Sequence, residues 1–326
     1  TATFYNTGTT TFGDHDSDVF NFLGGLSNNT SSAVTIRAAN VTATNSPVSI
    51  NVPVSFSAST TFSSGTGRIT LGAATVADGM TLVLGAGAAT PMTLTSISGV
   101  ANGPKSNLTI NTTAAVTVSG AIGTDIGTLT VTNSGGATFG GVVTASTLVL
   151  TDTTGTVAFN DVLTAGSLST TNSAYNVGIN ASGSVITNAV TFSNTGTVSL
   201  GSSGGTQTYT GGITATAPSS TTLKGTINTA NTAMTFGPVT LGANTILNSN
   251  ADSNAGDITL GAVTGSSYSL TLSTESGISG ADVTGSSFSG TGSLNLENIG
   301  GTASFNGGIT AAYITVANTV NNVSLT

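Results

Sequence analysis

Apolar and polar residues alternate along this chain in short bursts. Leu129-Thr130-Val131-Thr132 is one, Leu148-Val149-Leu150-Thr151 a second, and Tyr268-Ser269-Leu270-Thr271-Leu272-Ser273 a third. Residues two apart on a strand share a face, so each burst predicts a strand with one apolar side. Gly, Asn, Ser or Asp flanks the bursts and supplies the turns between them. Few stretches carry helix formers at a 3.6-residue period, so the expectation is all-β.

A recurring unit underlies the alternation. It reads aromatic, turn residues, aliphatic, Thr, small. The clearest copies are Phe139-Gly140-Gly141-Val142-Val143-Thr144-Ala145 and Phe159-Asn160-Asp161-Val162-Leu163-Thr164-Ala165. Weaker copies begin at Tyr209, Phe236 and Phe305. A period of about 20 to 25 residues is the signature of a solenoid. One coil cannot bury its inward face alone, whereas stacked coils share an apolar column and pair every backbone group with the coils above and below. At about 20 residues per coil the chain predicts about 16 coils. The fold expected is a right-handed parallel β-helix over residues 31–326. The alternative is a set of tandem β-sandwiches, which also space strands at regular intervals. Residues 1–30 are less regular and carry Phe4-Tyr5, Phe20 and Phe22, which predicts an N-terminal cap or a strand donated to another copy.

Composition sharpens this picture. Asp, Glu, Lys and Arg make up 5% of the chain, while Thr and Ser supply about a third of it, with 44 Gly. Plentiful β-branched residues with low charge argue against disorder. The net charge is −8, and the basic residues are Arg37, Arg68, Lys105 and Lys224. They form no stripe that would neutralise phosphates, so no nucleic-acid partner is expected. No segment approaches the roughly 18 apolar residues of a membrane helix, so no membrane span is expected. There is no Cys, hence no disulfide and no thiolate metal site. The opening Thr1 predicts a processed chain or a fragment.

The runs at 138–150 and 155–168, Thr138-Phe139-Gly140-Gly141-Val142-Val143 and Val157-Ala158-Phe159-Asn160-Asp161-Val162 among them, resemble the β-strand repeats of large bacterial surface proteins. These are the filamentous-haemagglutinin-like adhesins and autotransporter passengers. The resemblance covers about residues 105–320. It implies a secreted parallel β-helix used in adhesion or matrix formation.

Candidate chemistry is sparse. Gly13-Asp14-His15-Asp16-Ser17-Asp18 alternates three carboxylates beside the only histidine, and hard cations take several oxygens, so Asp14, Asp16 and Asp18 are the candidate calcium ligands. A solvated turn is the other reading, and no other cofactor is expected. Asp152, Asp161, Asp252, Asp257 and Asp282 stand beside turn residues, where carboxylates bond backbone amides. No paired carboxylates with cationic support recur, so no enzyme activity is expected. Thr-x-Thr pairs such as Thr93/Thr95, Thr128/Thr130 and Thr214/Thr216 raise ice binding as a minor alternative.

The function expected rests on strand edges. A solenoid leaves an unpaired coil at each end, and this chain has almost no charge with which to blunt it. Phe4 and Tyr5 near the start, and Tyr313, Ile314 and Val316 near the end, are the expected assembly residues. The reading is an extracellular structural protein that polymerises with itself into a fibre, biofilm matrix or S-layer. An adhesin segment that binds glycans or cell surfaces is its alternative.

Overall fold

Parallel strands, each with one apolar side, wind through this chain in successive coils. The computed structural model describes every residue except Asp152, Ala251, Ser253 and residues 276–279. Among the described residues the regular structure is β-strand apart from one 3₁₀ turn, Asn254–Gly256. The chain divides into two units, Thr1–Ala165 and Gly166–Thr326, and holds about 15 turns of solenoid.

In the first unit the strands form three inward-facing ladders. One runs Ala2, Leu26, Val48, Ile69, Met92, Val116, Ala137, Val157, each residue opposite the next across a parallel pair. A second runs Thr10, Val34, Val54, Ala74, Ile97, Ile122, Val143. The third runs Phe20, Val41, Phe62, Leu84, Ile110, Val131, Leu150. Between partners the chain advances roughly 20 to 25 residues, one coil. The parallel register excludes the tandem antiparallel sandwiches entertained above. Residues 1–30 run as strands of the opening coil, Ala2–Phe4 pairing with Leu26–Asn28 and Thr9–Phe12 with Ala33–Ile36.

The second unit repeats the plan. Val177, Val198, Thr221, Val239, Val263, Phe288 and Ile309 form one ladder. Val190, Ile213, Met234, Ile258, Val283, Ala303 and Val323 form another. Gln207, Ile227, Leu247, Leu272, Leu296 and Val316 form the third. In both units alternate residues point inward and most are wholly buried, which is why Val, Ile, Leu and Phe recur at a period of two.

The corners explain the wealth of Asn, Ser and Asp. A corner side chain in one coil accepts the backbone N–H of the next coil. Asn107 Oδ1 takes Thr128 N at 3.0 Å, Asn176 Oδ1 takes Thr197 N at 2.8 Å, and Ser59 Oγ takes Thr81 N at 3.1 Å. Asp257 Oδ1 accepts from Asp282 N at 2.8 Å, and Asp282 Oδ1 from Thr302 N at 2.6 Å. These bonds satisfy amides that leave the strand ladders at each bend. Asp161 Oδ1 accepts from Val162 N at 2.7 Å, and Asp252 is exposed with its own amide on Asn231 Oδ1 at 3.0 Å. Asp152 lies outside the described residues.

The aromatic unit marks corners, and not one place in the coil. Phe139 and Phe159 do stack in register, with ring centroids 5.0 Å apart and planes 5° from parallel. Tyr209, however, lies opposite Ile186, while Phe236 lies opposite Ala215 and Leu260 in a different ladder. An aromatic that closes a strand before a two- or three-residue turn packs equally well at any bend, so the unit recurs without fixing the phase.

Candidate functional site

The acidic segment forms a turn that closes on itself. Gly13 has φ 83°, a conformation that a side chain rarely adopts. The bend lets the Asp18 carboxylate accept the amides of Asp14 at 3.0 Å and His15 at 3.1 Å. Those amide bonds hold the Asp18 carboxyl below its ordinary value of 3.8. Asp16 Oδ1 accepts from Arg37 Nε at 2.7 Å, one coil further on, and this raises the guanidinium's pKa. His15 Nδ1 meets Ser17 Oγ at 3.0 Å. Both partners of the ion pair are largely exposed, so solvent screening keeps its contribution small. Asp16 and Asp18 thus spend their oxygens on different partners. Among the described residues no group of three or more His, Cys, Asp or Glu is gathered as a metal site.

A pH effect follows from this turn. The folded pKa of Asp18 is depressed, so its contribution is complete above the unfolded value and is lost as pH falls through the folded one. Amide exchange at Asp14 and His15, corrected for intrinsic rates, is expected to accelerate as pH drops below 3.8, and Asp18→Asn is expected to remove that dependence. An unchanged pH dependence of both amides in Asp18→Asn would contradict the assignment.

The terminal strands carry the expected assembly residues. In the first unit Phe4 is half-buried and meets the Phe12 ring edge-on at 5.2 Å. Phe12 is buried and also touches Phe20 at 5.7 Å and Phe22 at 5.8 Å. Four phenylalanines thus close the apolar column at the first coil. Tyr5 stands outside it, 80% exposed.

In the second unit the strands Tyr313–Val316 and Asn322–Leu325 are exposed at every position. Their register is nonetheless that of the core. Ile314 lies opposite Leu294, Val316 opposite Leu296, Val323 opposite Ala303, and Leu325 opposite Phe305. Each of those four partners is buried, while Ile314, Val316, Val323 and Leu325 remain about 40% exposed. Tyr313 lies opposite the outward Ser293 and is 73% exposed. Ile314 and Val316 therefore belong to an open apolar face, and Tyr313 to its outer rim. The sequence reading missed Val323 and Leu325, although Asn322-Val323-Ser324-Leu325 carries the alternation that finds them.

The outer faces carry files of hydroxyls. Thr191, Thr214, Thr235, Thr259, Thr284, Ser304 and Ser324 stand in register down the second unit. Thr70, Thr93, Thr117 and Thr138 do so in the first. The Thr-x-Thr pairs do not double such a file where Thr214 and Thr216 stand, because Gly237 lies against Thr216. Among the described residues, no helix is long and apolar enough to cross a membrane.

Comparison with protein families, curated proteins and solved structures returned no match. The functional reading therefore rests on the surfaces themselves.

Proposed function

We propose that this chain is a secreted structural protein whose copies join end to end through their terminal coils, building an extracellular fibre or cell-surface layer. The observation that carries the reading is the apolar face of Ile314, Val316, Val323 and Leu325, held in core register yet about 40% exposed. Residues 309–326 contain no Asp, Glu, Lys or Arg. An uncharged edge strand with an apolar face is what soluble proteins avoid, because it templates further pairing. The first coil offers a matching surface, the half-buried rings of Phe4, Phe20 and Phe22 packed around Phe12. Contact between unlike ends of successive copies is heterologous and does not close, so it propagates as a filament. The shortage of charge and the richness in Ser and Thr fit a role outside the cell. Scaffolding needs no catalytic group, and the proposed function is not enzymatic.

Sedimentation velocity at rising concentration tests this. The chain is expected to sediment as polymers that lengthen with concentration. The variant Ile314→Lys/Val316→Lys is expected to sediment as a monomer with unchanged circular dichroism, because both positions lie on the exposed last coil. A chain lacking residues 1–12 is expected to lose polymerisation as well. A monodisperse monomer of the unaltered chain at its highest soluble concentration would overturn the reading.

A further inference from the structure

Within the second unit lies a groove of about 710 Å³ on the outer side of the coils. Pockets of roughly 300 to 1,000 Å³ are the usual size for small-ligand sites. Its wall is an outward file from four successive coils, in which Thr226 lies opposite Ile246, Ile246 opposite Thr271, and Thr271 opposite Asn295. Beside this file stand the corner residues Asn244 and Tyr268. Gly225 lines the recess where the ladder register shifts, and with φ 67° it has no room for a side chain, since an added Cβ would run into the carbonyl oxygens of Ser202 and Gly205.

The chemistry of the lining is specific. Tyr268 is 37% exposed and Ile246 is 41% exposed, giving the groove an aromatic face and an aliphatic one. Asn244 Oδ1 accepts the amide of Ser269 at 3.0 Å, which fixes the side chain and leaves its Nδ2 as a free donor. Asn295 Nδ2 donates to Thr271 Oγ1 at 3.2 Å, which leaves Oδ1 as an acceptor. The Tyr268 hydroxyl has no partner among the described residues. No residue of the lining is charged. A charged ligand would leave its counter-charge unpaired here, whereas a ligand with hydroxyls on its rim and C–H bonds on its faces would match each group.

We infer that this groove binds a neutral oligosaccharide, with a sugar ring stacked on Tyr268 and its hydroxyls bonded to Asn244 and Asn295. The file spans four coils at about 4.8 Å each, which suits a short chain of sugars better than one monosaccharide. The inference goes beyond the assembly reading, because the groove is built on the outward file that ends at Asn295, not on the inward face of Ile314 and Val316, and it needs no second copy.

Isothermal titration tests it with cellohexaose, maltohexaose, mannohexaose and N-acetylchitohexaose as neutral probes and tetragalacturonate as the acidic comparator. The monomeric Ile314→Lys/Val316→Lys variant serves as the host, so a failure of polymerisation and a failure of binding are read separately. At least one neutral probe is expected to bind at millimolar concentration or below. Tyr268→Ala is expected to weaken it about tenfold, and Tyr268→Phe, which keeps the ring, to weaken it about twofold or less. Asn295→Ala is expected to weaken it as well. No heat from any neutral probe, equal binding by Tyr268→Ala, or tighter binding of tetragalacturonate would each overturn the inference.

Discussion

Phe139→Ala is expected to destabilise the first unit by about 3 to 5 kcal/mol, and Phe139→Leu by about 1 kcal/mol. Phe139 is wholly buried. It stands in register between Val118 in the coil before and Phe159 in the coil after, stacked face to face on the latter. Truncation removes the ring's transfer energy and leaves a cavity that strand backbones locked by ladders on both sides cannot close. The loss in such a fold is also local. Each coil contacts only its neighbours, so stability is close to a sum of coil and interface contributions. Amide exchange is therefore expected to accelerate roughly a hundredfold or more in Val116–Val118, Ala137–Phe139 and Thr156–Phe159, and far less in Leu26–Asn28 and Val48–Ile50. Equal acceleration throughout Thr1–Ala165 would show that this unit opens as one cooperative block, contrary to the nearest-neighbour account.

The same case shows how far the fold was legible in the sequence. The spacing of Phe139 and Phe159 reported the coil length, and their register confirms it. Alternating Val, Ile and Leu reported which side faces inward, because burial on one face of a strand imposes a period of two. What local pattern does not carry is phase. Tyr209 and Phe236 read as copies of one unit and lie in different ladders, since an aromatic before a tight turn suits every corner. Tyr268 reads as the first inward residue of the burst that continues through Leu270 and Leu272. The strand begins only at Leu270, and the corner before it turns Tyr268 outward into the groove. The acidic segment was legible as a turn, but the Arg37 partner of Asp16 becomes visible only once the coil brings them together. Sequence shows which residues alternate; stacking decides which of them meet.

Gln207 illustrates the limit most sharply and carries the second large prediction. Thr206-Gln207-Thr208-Tyr209 contains no aliphatic residue, yet Gln207 and Tyr209 are both buried, at 1% exposure each. Gln207 heads an otherwise apolar ladder of Ile227, Leu247, Leu272 and Leu296. Its Nε2 donates to the carbonyls of Ile179 at 2.8 Å and Ala181 at 2.9 Å, and its Oε1 accepts from the Tyr209 hydroxyl at 3.0 Å. Burial raises the Tyr209 pKa far above its ordinary value of 10.0, so the hydroxyl stays a donor. Gln207→Leu is expected to cost about 2 to 3 kcal/mol, because it strands that hydroxyl in the core and removes both amide bonds. The carbonyls themselves keep a partner each, Gly201 N on Ile179 and Ser184 Oγ on Ala181, which limits the loss. Tyr209→Phe is expected to cost about 1 to 2 kcal/mol by leaving Gln207 Oε1 unpaired. The double variant Gln207→Leu/Tyr209→Phe is expected to cost less than the sum by about 1 kcal/mol or more, because each change removes the orphan that the other creates. Urea denaturation of the four proteins measures this coupling. Strict additivity would show that the hydroxyl and the amide act independently, and that the buried pair is not the unit that holds this ladder's head.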